Sequence, residues 1–157
     1  MKVVINACYG GFGLSARAIQ RLAELQGRPC YFFKHDLSMN TYTPLPTLEE
    51  ASSDEVFCLF AYDIPNPNEV FHKEVEWHEM SLEERQASND QQEQHTIQDR
   101  DIARNDPLLV QVVEELGEDA NTRFSNLKVV EIPDDVAWEI DEYDGYEHVA
   151  ETHRTWP

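Results

Sequence analysis

Gly11-Phe12-Gly13-Leu14-Ser15-Ala16 matches the pattern G-x-G-x-x-A and is the most specific local pattern in the chain. Glycines at that spacing, between a strand and a helix, let the backbone approach a pyrophosphate. The helix N-terminus then offers it N–H groups and partial positive charge. Gly10, Gly11, Gly13, Ser15 and Arg17 would hold the anion, and Asp36, 20 residues after Ala16, would meet a ribose hydroxyl. The same residues also suit a turn that only packs a helix against a strand. A full dinucleotide fold needs more parallel βαβ units than the rest of the chain clearly supplies.

A second pattern lies near the other end. From Glu131 to Glu151, nine of 21 residues are acidic, none is Lys or Arg, and Trp138, Tyr143 and Tyr146 are interleaved with the carboxylates. This is either a solvated hairpin with ordinary aromatic packing or a binding face for a basic partner, with aromatic anchors ringed by negative charge. On the second view Glu139, Asp141, Glu142, Tyr143, Asp144 and Glu147 form the face. Such a surface can occupy a nucleic-acid-binding groove by imitating its charge.

No other constellation carries chemistry. Cys8 opens the glycine turn, but a phosphatase-like loop needs Arg where Leu14 stands, so Cys8 reads as a small buried residue. His72 and His78 are too far apart in helical phase to share a ligand, and His148 and His153 have opposite strand parity. Asp141 and His148 make a cross-strand pair with no Ser or Cys nucleophile tied to it. Three cysteines without C-x-x-C spacing fit a reducing cytosol rather than a disulfide framework or a zinc site. We expect no cofactor, no metal and no catalytic residue, and favour a binding protein over an enzyme.

The elements that must position these residues follow from pattern. Lys2–Ala7 reads as a buried strand because Val3, Val4 and Ile5 are consecutive β-branched residues. Ser15 is a natural N-cap for a helix with the apolar stripe Ala18, Ile19, Leu22 and Leu25, and Gly27 ends it. Cys30–Phe33 and Val56–Tyr62 are strand-like, and 37–55, rich in Pro, Thr and Ser, reads as loop. Residues 69–105 form an acidic, Gln-rich insert, either an exposed helix or a mobile segment. Asp106-Pro107 starts a second helix that ends at Gly117. Leu127–Ile132 is a strand. A hairpin about Asp144-Gly145 would pair Ile140 with Val149, Asp141 with His148, and Glu142 with Glu147, a like-charge pair that argues for a longer turn. The expected fold is α/β or α+β, a single domain over 1–157 with a mixed sheet, two main helices and a C-terminal β-hairpin.

The net charge of −19 opposes binding to nucleic acid or anionic membrane. It is unevenly spread: residues 1–48 carry +3 and residues 49–157 carry −22. No apolar run reaches the length of a membrane span and no signal-peptide layout opens the chain. A cytoplasmic location is expected.

Several blocks resemble a family of small uncharacterised proteins of tailed bacteriophages and prophages. They are Val4-Ile5-Asn6, Cys8-Tyr9-Gly10-Gly11-Phe12-Gly13-Leu14-Ser15, the Asp106–Gly117 helix, Lys128–Val136, Trp138-Glu139-Ile140-Asp141-Glu142-Tyr143-Asp144-Gly145 and the closing Glu147…His153-Arg154-Thr155-Trp156. Residues 37–100 take no part. The resemblance implies a virus-encoded protein acting in the bacterial cytoplasm and transfers no catalytic residue. The expected function is sequestration or inhibition of a host protein with a basic surface, an antiviral defence component for instance. The alternative is a small-nucleotide binder, sponge or enzyme that uses the glycine turn.

Overall fold

Residues 1–56, 58–71, 77–153 and 156 are described in the computed structural model. His72, Arg154 and Thr155, singled out above, lie outside them. The element order is β1 (Lys2–Asn6), α1 (Ala16–Leu25), β2 (Tyr31–Asp36), β3 (Thr41–Leu45), α2 (Leu48–Ala51), β4 (Leu59–Tyr62), α3 (Pro67–Phe71), α4 (Leu82–His95), α5 (Pro107–Leu116), β5 (Leu127–Glu131), β6 (Trp138–Tyr143) and β7 (Tyr146–Glu151). Short 3-10 turns occupy Trp77–Glu79 and Gly117–Ala120. The fold is α+β with a C-terminal hairpin, and among the described residues the strands form three small antiparallel sheets, β1-β5, β3-β2-β4 and β6-β7, rather than one mixed sheet. The chain divides into two compact units, 1–26 with 98–157, and 27–97.

In the first unit β1 pairs with β5, Val4 opposite Val129 and Asn6 opposite Leu127. The Ser15 hydroxyl caps α1 by accepting from Ala18 N, and Ala18, Ile19, Leu22 and Ala23 are buried. The Asp106 carboxylate caps α5 through Leu108 N and Leu109 N, with Pro107 at its start. Leu22 and Leu109 are fully buried, each worth about 1.5–3 kcal/mol of transfer free energy. Three of the five basic residues in 1–48 are matched by acids in or just after α5: Lys2 with Glu114, Arg21 with Glu115, Arg17 with Asp119. These exposed pairs add little stability, but they neutralise the local positive charge that the sequence shows.

In the second unit β2 pairs with β3 on one side and β4 on the other. The four-residue link Leu37–Asn40 makes the antiparallel β2-β3 pairing easy, whereas a parallel neighbour needs a long crossover. Residues 37–55, expected as loop, therefore contain β3 and α2. Pro44 is tolerated in β3 because that strand is an edge. Phe33, Tyr42 and Tyr62 are buried together, with Phe60, Ile64 and Phe71 packed on them. The α4 helix falls within the acidic, Gln-rich segment and has a Ser81–Glu84 capping box but no buried residue.

Asp63 accepts from Arg28 Nη2 at 2.9 Å and lies 2.8 Å from His95 Nδ1. Burial pushes the Asp63 carboxyl up, but the hydrogen bonds from His95 and Arg28 outweigh it and hold it below its ordinary 3.8. A carboxyl with a lowered folded pKa contributes stability above its unfolded pKa and loses it as pH falls through the folded value. Asp63→Asn is therefore expected to be less stable than wild type at neutral pH. The difference in melting temperature should close below about pH 4. A difference that stays constant from pH 7 to 3 would show that the charge of Asp63 contributes nothing.

Candidate functional site

The β6-β7 hairpin closes through a two-residue turn. Asp144 has φ +50° and Gly145 φ +84°, the signs of a type I′ turn, and Tyr143 pairs with Tyr146. The pairings Ile140–Val149, Asp141–His148 and Glu142–Glu147 are those expected from the sequence, and the longer turn is not needed. The like-charge pair is tolerated because its members turn to different partners. The Glu142 carboxylate accepts from Gly145 N at 2.6 Å, while Glu147 turns inward.

Glu147 is only 5% exposed. Its carboxylate accepts from Arg104 Nη1 at 2.7 Å and Nη2 at 2.9 Å, and from the backbone N–H of Asn6 at 2.8 Å. Expected on the acidic outer face, it is instead the anchor beneath that face. A carboxylate buried this deeply must be paired, and the bidentate guanidinium does this. The Arg104 guanidinium in turn lies 3.4 Å from the centre of the Phe12 ring. Asn6, fully buried, completes the clamp. Its amide donates to the carbonyls of Cys8 at 2.9 Å and Gly145 at 2.8 Å, and its oxygen accepts from Asn126 N at 2.8 Å.

This clamp brings the two sequence patterns together. A Cβ at Gly145 would stand 2.6 Å from Gly11 N and 2.8 Å from the Tyr9 carbonyl, and one at Gly10 only 1.8 Å from the Phe124 carbonyl. The hairpin tip, the glycine loop and the segment around Phe124 thus meet backbone to backbone. From this junction Tyr9 and Tyr146 project with ring centres 5.4 Å apart. Tyr9 is 66%, Phe124 57%, Tyr143 79% and Tyr146 40% exposed. Glu139 and Asp141 are exposed on the strand face of Tyr143 and Tyr146, Asp144 is exposed in the turn, and Glu142 is exposed on the opposite face, that of Glu147; His148 lies 3.4 Å from Asp141.

The groups assigned to an anion are occupied in packing. The Ser15 hydroxyl caps α1 and donates to the Asp119 carbonyl at 2.6 Å, Arg17 pairs with the Asp119 carboxylate, and the Gly13 carbonyl accepts from Ser125. Gly10 and Gly11 lie in the junction. Asp36 belongs to the second unit, where it holds the turn after β2. Hydrogen bonds from the Ser38 hydroxyl and from the Met39 and Ser38 N–H groups keep its carboxyl below the ordinary value. Tyr9, Phe124, Asn6 and Arg104 are the residues that sequence reasoning missed. Only the aromaticity of Tyr9, next to the glycine pattern, offered a signal.

Among the described residues no group of three or more His, Cys, Asp or Glu is placed to hold a metal ion, and no helix is long and apolar enough to cross a membrane. Compared with protein-family models, curated proteins and solved structures, the chain matches none.

Proposed function

We propose that this is a non-enzymatic binding protein of phage type that sequesters or inhibits a host component, an antiviral defence protein for instance, by covering its basic surface. One observation supports this above the others: four exposed aromatic side chains, Tyr9, Phe124, Tyr143 and Tyr146, are carried by one backbone junction, and the hairpin that bears two of them also exposes the carboxylates of Glu139, Asp141, Glu142 and Asp144. Aromatic anchors supply most of the affinity of such a face, and surrounding charge supplies steering and partner choice. The junction is held by close backbone packing and by the Glu147–Arg104–Asn6 hydrogen bonds, which reduces the ordering that binding requires. The net charge of −19 draws basic surfaces and repels nucleic acid. The phage assignment comes from the sequence resemblance, and the bacterial cytoplasm is the compartment that goes with it.

The test compares wild type, Tyr143→Ala and the quadruple variant E139Q/D141N/E142Q/D144N as baits in bacterial lysate. Asn tolerates positive φ at position 144 and Gln keeps an acceptor at 142, so the hairpin should persist. Wild type should retain a basic protein at low salt and at about 150 mM salt, where screening begins to weaken exposed charges. Tyr143→Ala should weaken that complex about tenfold or more, and the quadruple variant should slow its association. Retention that ignores both changes, or no selective retention by wild type, would refute the proposal.

A further inference from the structure

The second unit holds a cavity of about 620 Å³ between the β2-β3 turn, α3 and α4. The residues that line it include Tyr42, Phe71, Trp77, Asn40, Asn89 and Gln92, and among the described residues none of the lining side chains is charged, although 27% of the chain is. Its volume is that of a small-molecule site rather than a packing defect.

The composition of α4 gives this cavity meaning. Its half-buried residues include Arg85, Ser88, Gln92 and His95, which recur at helical spacing. An ordinary surface helix seats leucines and isoleucines on such a stripe. Two of the four are accounted for by contacts of their own. Arg85 donates to the carbonyls of Trp77 and His78 and lies over the Trp77 ring, and His95 pairs with Asp63. Gln92 donates to the hydroxyls of Tyr42 at 3.1 Å and Tyr62 at 2.8 Å, which leaves its carbonyl oxygen to accept. The side chains of Ser88 and its neighbour Asn89 have no hydrogen-bond partner among the described residues. Asn40 uses its carbonyl oxygen on His35 and keeps its NH2 to donate. Neutral donors and acceptors therefore line a space that also offers the aromatic surfaces of Tyr42, Phe71 and Trp77. Burial, then the hydrogen bond with Tyr42, pushes the hydroxyl of Tyr62, which lies behind the lining, up, so Gln92 is held by a neutral group.

We propose that this cavity binds a small uncharged ring ligand whose edge carries hydroxyl or amide groups, the chemistry shared by sugars and nucleosides. The flat face of such a ring packs on aromatic side chains. Its edge groups both donate and accept, which carboxamides and hydroxyls match. A phosphorylated ligand is disfavoured, because the described lining has no cation and the whole chain is strongly negative. The site lies within the second unit, so it stands or falls independently of the hairpin face in the first.

The experiment titrates the full chain with three panels: neutral mono- and disaccharides, nucleosides, and the corresponding nucleoside 5′-phosphates. The readouts are melting temperature and the NMR signals of the Trp77 indole and the Asn89 and Gln92 side-chain amides. A sugar or a nucleoside should shift those signals saturably and raise the melting temperature, and the responding panel identifies the source. Asn89→Leu, at an exposed helix position, should keep the unliganded melting temperature and lower affinity at least tenfold. The hairpin quadruple variant should bind as wild type does. Three outcomes would overturn the proposal: no response to either neutral panel, phosphates binding tenfold more tightly than their nucleosides, or an undiminished response in both Asn89→Leu and Trp77→Ala.

Discussion

Glu147→Ala is expected to destabilise the first unit by about 3–5 kcal/mol, the range for removing one partner of a buried pair. The Arg104 and Glu147 side chains are 18% and 7% exposed, so neither can recover its lost partner by turning to water. The substitution leaves the guanidinium over Phe12 without its counter-charge and the Asn6 N–H without its acceptor. For a chain of this length the drop in melting temperature is about 10 °C. Amide exchange along β1 should accelerate with it, because Asn6 is held directly by the lost carboxylate. Glu139→Ala, at an exposed position on the same hairpin, should stay within about 0.5 kcal/mol. Replacing both partners by apolar residues, R104M/E147L, should recover much of the loss, since the pair's own net worth is small. Equal effects from Glu147→Ala and Glu139→Ala would remove Glu147 from its anchoring role.

Much of the local structure was legible because it depends on near neighbours. Ser15, Asp106, Gly27 and Gly117 end their helices where their chemistry says they should, and Asp144-Gly145 sets the hairpin register by itself. Thr47 and Ser81 carry the same kind of signal, each followed three residues later by glutamate and each closing a capping box, but the loop reading of 37–55 and the insert reading of 69–105 do not use it. What stayed hidden depends on distant pairs. Val3, Val4 and Ile5 give a strand but no alternation, so nothing local says that β5 is its partner. The α4 helix looked like a solvated insert because its inward stripe is polar and invisible to a search for apolar periodicity.

Two misplacements at the site have the same cause. Glu147 was grouped with the outer carboxylates by charge alone, yet strand parity puts it on the face of Ile140 and Val149. Its partner Arg104 lies 43 residues away, and no local pattern announces that pairing. The glycine pattern and the acidic hairpin looked like rival sites. They are two walls of one junction, since Gly10 and Gly145 allow backbones to approach more closely than any side chain permits.

That close approach makes Gly10→Ala the second large effect. The new methyl would stand 1.8 Å from the Phe124 carbonyl oxygen, with the Phe124 carbonyl carbon at 2.6 Å and its Cα at 2.9 Å. All three are backbone atoms, so no side-chain rotation relieves the contact. The loop or the Phe124 segment must move, at about 2–3 kcal/mol, the upper part of the overpacking range. Movement there also displaces Tyr9 and Phe124, so partner retention should fall with stability. Gly13→Ala is the control that separates packing from ligand binding. A methyl at Gly13 meets Thr122 Cγ2 at an ordinary 3.5 Å, and Gly13 is not among the glycines with positive φ. The change should be neutral or stabilise by up to about 1 kcal/mol through a stiffer unfolded chain. A glycine kept for a pyrophosphate would show the reverse order, with Gly13→Ala abolishing a nucleotide-dependent rise in melting temperature. Melts of both variants with and without nucleotides decide the matter: stability lost at Gly10, unchanged or slightly raised at Gly13, and no nucleotide response in wild type is the pattern a packed junction requires.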